Sequence, residues 1–169
     1  MLFRSLYKIC IQEIITGNRG IVANGVGKIQ TNGLRNGKMK QLEIINKLNQ
    51  LEVFGQLTET TNIYEHYDCY NDNYLIEIKS RQREYNPWLI EKYKYDKNYT
   101  QATKDKKLFI YVTEYKTRII AWNITDLTIN GYNFNWETRK QPETTEFYLQ
   151  DTIPKRVGYL LEQFGKILR

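Results

Sequence analysis

The sequence predicts an α/β domain of the α+β kind: a mixed sheet flanked by helices. Runs dense in β-branched and aromatic residues (YLIEIKS, KKLFIYVTEY, TRIIAWNIT) alternate with stretches whose apolar residues recur at helical spacing. Elements in that order bury their apolar faces most simply against one shared sheet. The chain of 169 residues with 41% hydrophobic content is long enough for one core of ordinary size. A single domain over residues 1–169 is therefore expected, with an N-terminal segment 1–37, a core 38–125 and a peripheral segment 126–169.

In chain order, MLFRSLYKICIQEII reads as a short amphipathic helix, with a secretory signal as the alternative. From Ile14 to Leu42 the chain holds no acid but carries Arg19, Lys28, Arg35, Lys38 and Lys40 among frequent glycines. Gly25-Val26-Gly27-Lys28 is not a phosphate loop, because that pattern needs glycine where Val22 stands and a hydroxyl where Ile29 stands. A basic loop against a phosphate backbone and a solvated irregular connection are the two readings of this stretch. Lys38–Gln50 follows as a helix, with Met39, Leu42, Ile45 (with Ile44) and Leu48 on one face and Glu43 beside that stripe.

Tyr64–Gln82 (YEHYDCYNDNYLIEIKSRQ) reads as two strands joined at Asn71-Asp72-Asn73, residues that tolerate tight turns. Pro87 is placed to start a helix running to about Ala102, in which Lys92, Lys94 and Lys97 alternate with tyrosines. Such alternation suits a surface that tracks a nucleic-acid backbone, or equally an amphipathic helix with snorkelling lysines. KKLFIYVTEY and TRIIAWNIT form the next hairpin, around Tyr115-Lys116. Residues 126–148, broken by Asn130-Gly131 and Pro142, read as a peripheral hairpin or loops. A last helix is expected from Ile153 to Leu168, with Val157, Leu160, Leu161, Phe164 and Leu168 on one face.

Register decides what the first hairpin does. If Asp72-Asn73 is the turn, Tyr70 faces Leu75 and Asp68 faces Glu77, with Lys79 on the same side. A one-residue slip sends the aspartate to the other face. Two opposed carboxylates are destabilising unless something neutralises them, and a divalent cation does so. Hard carboxylate oxygens suit Mg²⁺ or Mn²⁺.

Asp68 followed by Glu77-x-Lys79 on the next strand, with a helix before and a helix after, resembles the PD-(D/E)XK nuclease superfamily over roughly Lys38–Thr125. Tyr67 stands where the motif name has proline, a position that varies in the superfamily. The resemblance implies a restriction-endonuclease-like α-β-β-α-β core and Mg²⁺-dependent phosphodiester hydrolysis. It implies Asp68, Glu77 and the Ile78 carbonyl as metal ligands, with Glu43 as a further candidate. Lys79 would be the catalytic lysine, and Lys94, rather than Lys92, the additional lysine that several members carry on the following helix. Arg81, Gln82, Arg83 and Lys92, with Arg35 and Lys38, are the candidate nucleic-acid contacts.

A formal charge of +6 and a pI near 9.2 favour a polyanionic partner, nucleic acid before membrane. Cys10 and Cys69 cannot build a disulfide framework, and with His66 as the sole histidine they cannot build a zinc finger. The lone histidine also excludes paired-histidine nuclease chemistry. No apolar run is long enough to span a bilayer. An intracellular protein acting on DNA, duplex or branched, is expected, with a homodimer as the arrangement that would cut two strands. The rivals are a non-catalytic basic nucleic-acid-binding module and a structural partner-binding protein.

Overall fold

The computed structural model describes residues 32–62, 64–142 and 152–168, and side chains from residue 40 onward. All of them lie in one compact unit, Thr31–Arg169. The expected N-terminal helix, most of the basic loop and Cys10 lie outside the described residues, as do the side chains of Arg35 and Lys38.

Helix α1 (Asn32–Gln50) is followed by β1 (Thr58–Glu59), β2 (Cys69–Tyr70), β3 (Tyr74–Arg81) and β4 (Trp88–Glu91). Next come α2 (Lys92–Lys104), β5 (Leu108–Tyr115), β6 (Arg118–Asn123) and α3 (Ile124–Ile129). The chain ends with β7 (Glu137–Pro142), β8 (Thr152–Leu160), a 3₁₀ turn (Glu162–Phe164) and β9 (Lys166–Ile167). Six strands form one sheet in the order β1-β2-β3-β5-β6-β9, and β4-β8-β7 form a second. In the larger sheet β3 and β5 run parallel, joined through β4 and α2, and the other neighbours are antiparallel. The fold is therefore α+β on a mixed sheet.

The two faces of the larger sheet are buried differently. Ile76, Ile78, Ile110 and Val112 pack against Ile44, Ile45 and Leu48 of α1, together with Leu57 and Cys69. On the opposite face Leu75, Phe109, Tyr111, Ile120 and Trp122 meet Trp88, Ile90 and Leu160 of the second sheet and Ala102 of α2. Each large apolar side chain buried this completely contributes about 1.5–3 kcal/mol. Glu77 follows Leu75 on the second face, by strand alternation. The carboxylate is thereby directed at α2.

Several expectations are corrected. The helix expected from Lys38 begins at Asn32, so Gly33 and Gly37, read as loop residues, are helical. Of its expected apolar face Ile44, Ile45 and Leu48 are buried, whereas Leu42 is exposed. The first strand of the hairpin is limited to Cys69–Tyr70; Tyr64 and His66 belong to an irregular segment.

Pro87 does not start a helix. It follows a cis peptide bond and leads into β4, where Trp88 and Ile90 are buried and Leu89 and Glu91 are not, the period of a strand. The helix waits until Lys92. The region 126–148 contributes part of α3 and the strand β7, which pairs with β8 in a hairpin.

The expected C-terminal helix is a strand, a 3₁₀ turn and a short strand. Pro154 and Gly158 are poor helix formers, and β8 gains partners on both sides in β4 and β7. Gly158 lets Trp136 lie on the strand: a Cβ there would sit 2.7 Å from the Trp136 ring. Val157 and Leu160 are buried, whereas Leu161 and Phe164, assigned to the same helical face, are exposed.

Candidate active site

The β2–β3 hairpin sets the site. Asn71 accepts at Oδ1 from the amides of Asn73 (3.0 Å) and Tyr74 (2.9 Å), closing the turn with its own side chain. Tyr70 pairs with Leu75 and Cys69 with Ile76, and the Asp68 amide donates to the Ile76 carbonyl at 2.8 Å. This is the register that sets Asp68 beside Glu77. The ladder does not extend to Asp68 as a strand residue; its side chain takes over, with Oδ2 accepting the Ile78 amide at 2.6 Å. The carbonyl of Ile78 points to that same edge, because a strand residue presents its N–H and C=O to one side.

Glu77 is wholly buried, yet it lies between two ammonium groups. Lys79 Nζ is 2.9 Å from Oε1 and Lys94 Nζ is 3.2 Å from Oε2. Among the described residues Oε1 is thus held by the Lys79 ammonium alone. Lys94 also donates to the His66 carbonyl at 2.9 Å, and Asn98, one helical turn later, donates to the same oxygen at 3.1 Å. One face of α2 thereby holds the segment that leads into Asp68.

Burial, and then the neighbouring charge of Glu77, raise the Asp68 carboxyl from 3.8 to about 7, against the opposing pull of the Ile78 amide and both lysines. Burial would lower the Lys79 ammonium, but the charge of Glu77, with lesser help from Tyr111 and Asp68, raises it above its ordinary value. Lys79 is therefore a fixed cation. The Cys69 thiol is pushed up by burial and then by Asp68 and Glu77, which makes it an inert core residue.

The remaining candidates divide. Lys94 is brought to Glu77, whereas Lys92 pairs with Asp96 and lies over the rings of Tyr95 and Trp136, at 5.3 and 5.2 Å. Glu43 is exposed on α1, and among the described residues no three of His, Cys, Asp and Glu gather as a metal site. Asp68 and Glu77 thus stand without a third acidic ligand. Arg81 is turned to internal bonds. Its Nη2 donates to the Leu89 carbonyl (3.0 Å) and to the Tyr111 hydroxyl (3.4 Å), tying β3 to β4. Gln82 and Arg83 are exposed beyond the end of β3. Asn98 is the site residue that sequence reasoning misses. A signal for it exists, since it follows Lys94 by one helical turn and so shares its face.

The residues present fit a hard divalent cation. They offer two carboxylates and a carbonyl, all oxygen donors, and the Glu77 carboxylate is wholly buried. Mg²⁺ is commonly held by one or two carboxylates, with water and substrate phosphate completing its shell. A third acid is not required.

No helix among the described residues is long and apolar enough to cross a membrane. Comparison of the chain with protein-family models, curated proteins and solved structures finds no match.

Proposed function

We propose that the chain is a metal-dependent endonuclease of the PD-(D/E)XK kind, hydrolysing phosphodiester bonds in DNA with Mg²⁺ or Mn²⁺. One observation carries this reading: Asp68 and Glu77 stand across from one another on the hairpin, with Lys79 and Lys94 converging on Glu77. Burial, and after it the repulsion from Glu77, holds the Asp68 carboxyl near 7, and a cation bound between the acids would relieve that repulsion.

Asp68, Glu77 and the Ile78 carbonyl would hold the metal, which when bound polarises a phosphoryl oxygen and acidifies a coordinated water. Lys79, kept protonated by Glu77, orients the attacking water and offsets the negative charge that develops on the phosphoryl oxygens. It acts as a charge and donor, not as a base. Lys94 and Asn98 position: they hold the His66 carbonyl and, through it, the approach of the chain to Asp68.

A second reading has its own support. Two ammonium groups already counter Glu77, so the cluster is also a complete buried ion network for a basic protein that binds nucleic acid without cutting it. Incubation with plasmid DNA and with a synthetic four-way junction separates the two. The nuclease cuts one or both in Mg²⁺ or Mn²⁺ and neither in EDTA. Metal-independent, salt-sensitive binding without cutting in any metal belongs to the second reading.

A further inference from the structure

Beyond the C-terminal end of β3 the surface opens into a groove of about 470 Å³. Its floor is the second sheet, with Leu89 of β4, Tyr159 of β8 and Arg139 of β7, and its wall is the Glu84–Pro87 segment. Arg81 stands where this groove meets β3, two residues past Lys79 and on the same face of the strand by alternation. Charges lining it are Arg81, Arg139 and Lys140 against Glu84 alone, and Glu84 is engaged by Arg118 at 2.7 Å.

The geometry points to this groove as the track for the DNA strand that flanks the scissile phosphate, with Arg139 and Lys140 contacting its phosphates. The inference rests on the nuclease reading for the position of the scissile phosphate at Lys79. Arg139 and Lys140 are exposed on opposite faces of β7 by alternation, and both line the groove because β7 is the edge strand of its sheet. Arg139 Nε pairs with Glu137 at 3.2 Å, and Glu137 also receives the Tyr159 hydroxyl. That ion pair sets the guanidinium on the outer face of the sheet. The groove belongs to a chain of net charge +6, so its polarity matches a polyanion. Its proximity to Lys79 favours a continuous strand over a free nucleotide, since a phosphate held here lies along one backbone with a phosphate at the acids.

The test is the affinity of the full chain for a fluorescent DNA duplex, read by anisotropy in EDTA across a salt series. The Arg139→Ala/Lys140→Ala variant is compared with a Lys104→Ala/Lys107→Ala control, which removes the same charge near the opposite end of β3. Loss of two phosphate contacts weakens binding about tenfold or more and lowers the salt slope by about 2, while the control changes neither appreciably. Thermal unfolding of the groove variant stays at the wild-type temperature. Wild-type affinity and slope in the groove variant, or equal losses in the control, overturn the groove. A mononucleotide that competes as well as the duplex overturns the strand assignment. If the wild type binds but never cuts and the groove variant still loses affinity, the nuclease reading falls and the surface stands. If the wild type cuts and the groove variant binds normally, the surface falls alone.

Discussion

Lys94 Nζ lies 3.2 Å from Glu77 Oε2 and 2.9 Å from the His66 carbonyl, so one ammonium joins α2, β3 and the segment entering Asp68. Replacing it leaves a buried carboxylate oxygen without a donor and leaves the His66 carbonyl with the Asn98 bond alone. Lys94→Met is expected to cost about 1–3 kcal/mol of stability, the usual penalty for stranding a buried polar group. It should also reduce DNA cleavage by the protein that remains folded. Thermal unfolding alongside a cleavage time course checks both, and an unchanged result in both would remove Lys94 from the site.

The Asp68 carboxyl, raised from 3.8 to about 7, gives the metal-free protein a definite pH dependence. In the unfolded chain the group releases its proton near pH 4, whereas in the folded chain it keeps it to about pH 7. The folded state binds more protons across that window, so stability falls as pH rises through it and stays low above it. Asp68→Asn, which cannot ionise, should flatten this part of the profile. Denaturant unfolding in EDTA at a series of pH values is the measurement; identical slopes for the two proteins would contradict the burial and repulsion assigned to Asp68.

Mg²⁺ should raise the unfolding temperature of the wild type at about pH 8, because a ligand that binds only the folded state stabilises it by mass action. Asp68→Asn and Glu77→Gln should each lose most of that increment. Adding EDTA should reverse it in the wild type. A shift of equal size in all three proteins would place the cation elsewhere.

Much of the site is legible in the sequence because its determinants are local. Asn71 closes the turn with its own side chain, and the alternation of β3 then fixes which residues share a face with Glu77. The β5–β6 hairpin is equally plain from its β-branched and aromatic runs. The misread elements depend on partners distant in sequence. Trp88-Leu89-Ile90 is a strand because β8 pairs with it from more than sixty residues away, and β8 is a strand because β4 and β7 flank it. Val157, Leu160, Leu161, Phe164 and Leu168 imitate a helical stripe; Pro154 and Gly158 argue against a helix, but the pairing partners lie far away in the sequence. Lys94 is placed by resemblance, but its hold on the His66 carbonyl requires the tertiary structure. Glu43 shows the converse: an acid on the preceding helix matches a pattern, and α1 turns it outward.

Gly165 tests the packing at the β6–β9 edge of the larger sheet. A Cβ there would lie 2.7 Å from Ile120 Cγ2 and 2.8 Å from Trp122 Cε2, both on fully buried side chains. Gly165→Ala is expected to destabilise by about 1–3 kcal/mol through overpacking. Because β5 lies between this β6 contact and β3, cleavage per folded molecule should be unchanged. Chemical denaturation with a parallel activity assay reads both quantities.

A hydrolytic site built from Asp68, Glu77 and Lys79 is tested most directly by cleavage of supercoiled plasmid in Mg²⁺. Wild type, Asp68→Ala and Lys79→Ala are compared, each shown by circular dichroism to be folded. Nicked or linear product is expected from the wild type and almost none from either variant. Folded variants that cut as fast as the wild type, or a wild type that binds the plasmid and leaves it intact in both Mg²⁺ and Mn²⁺, would contradict the site.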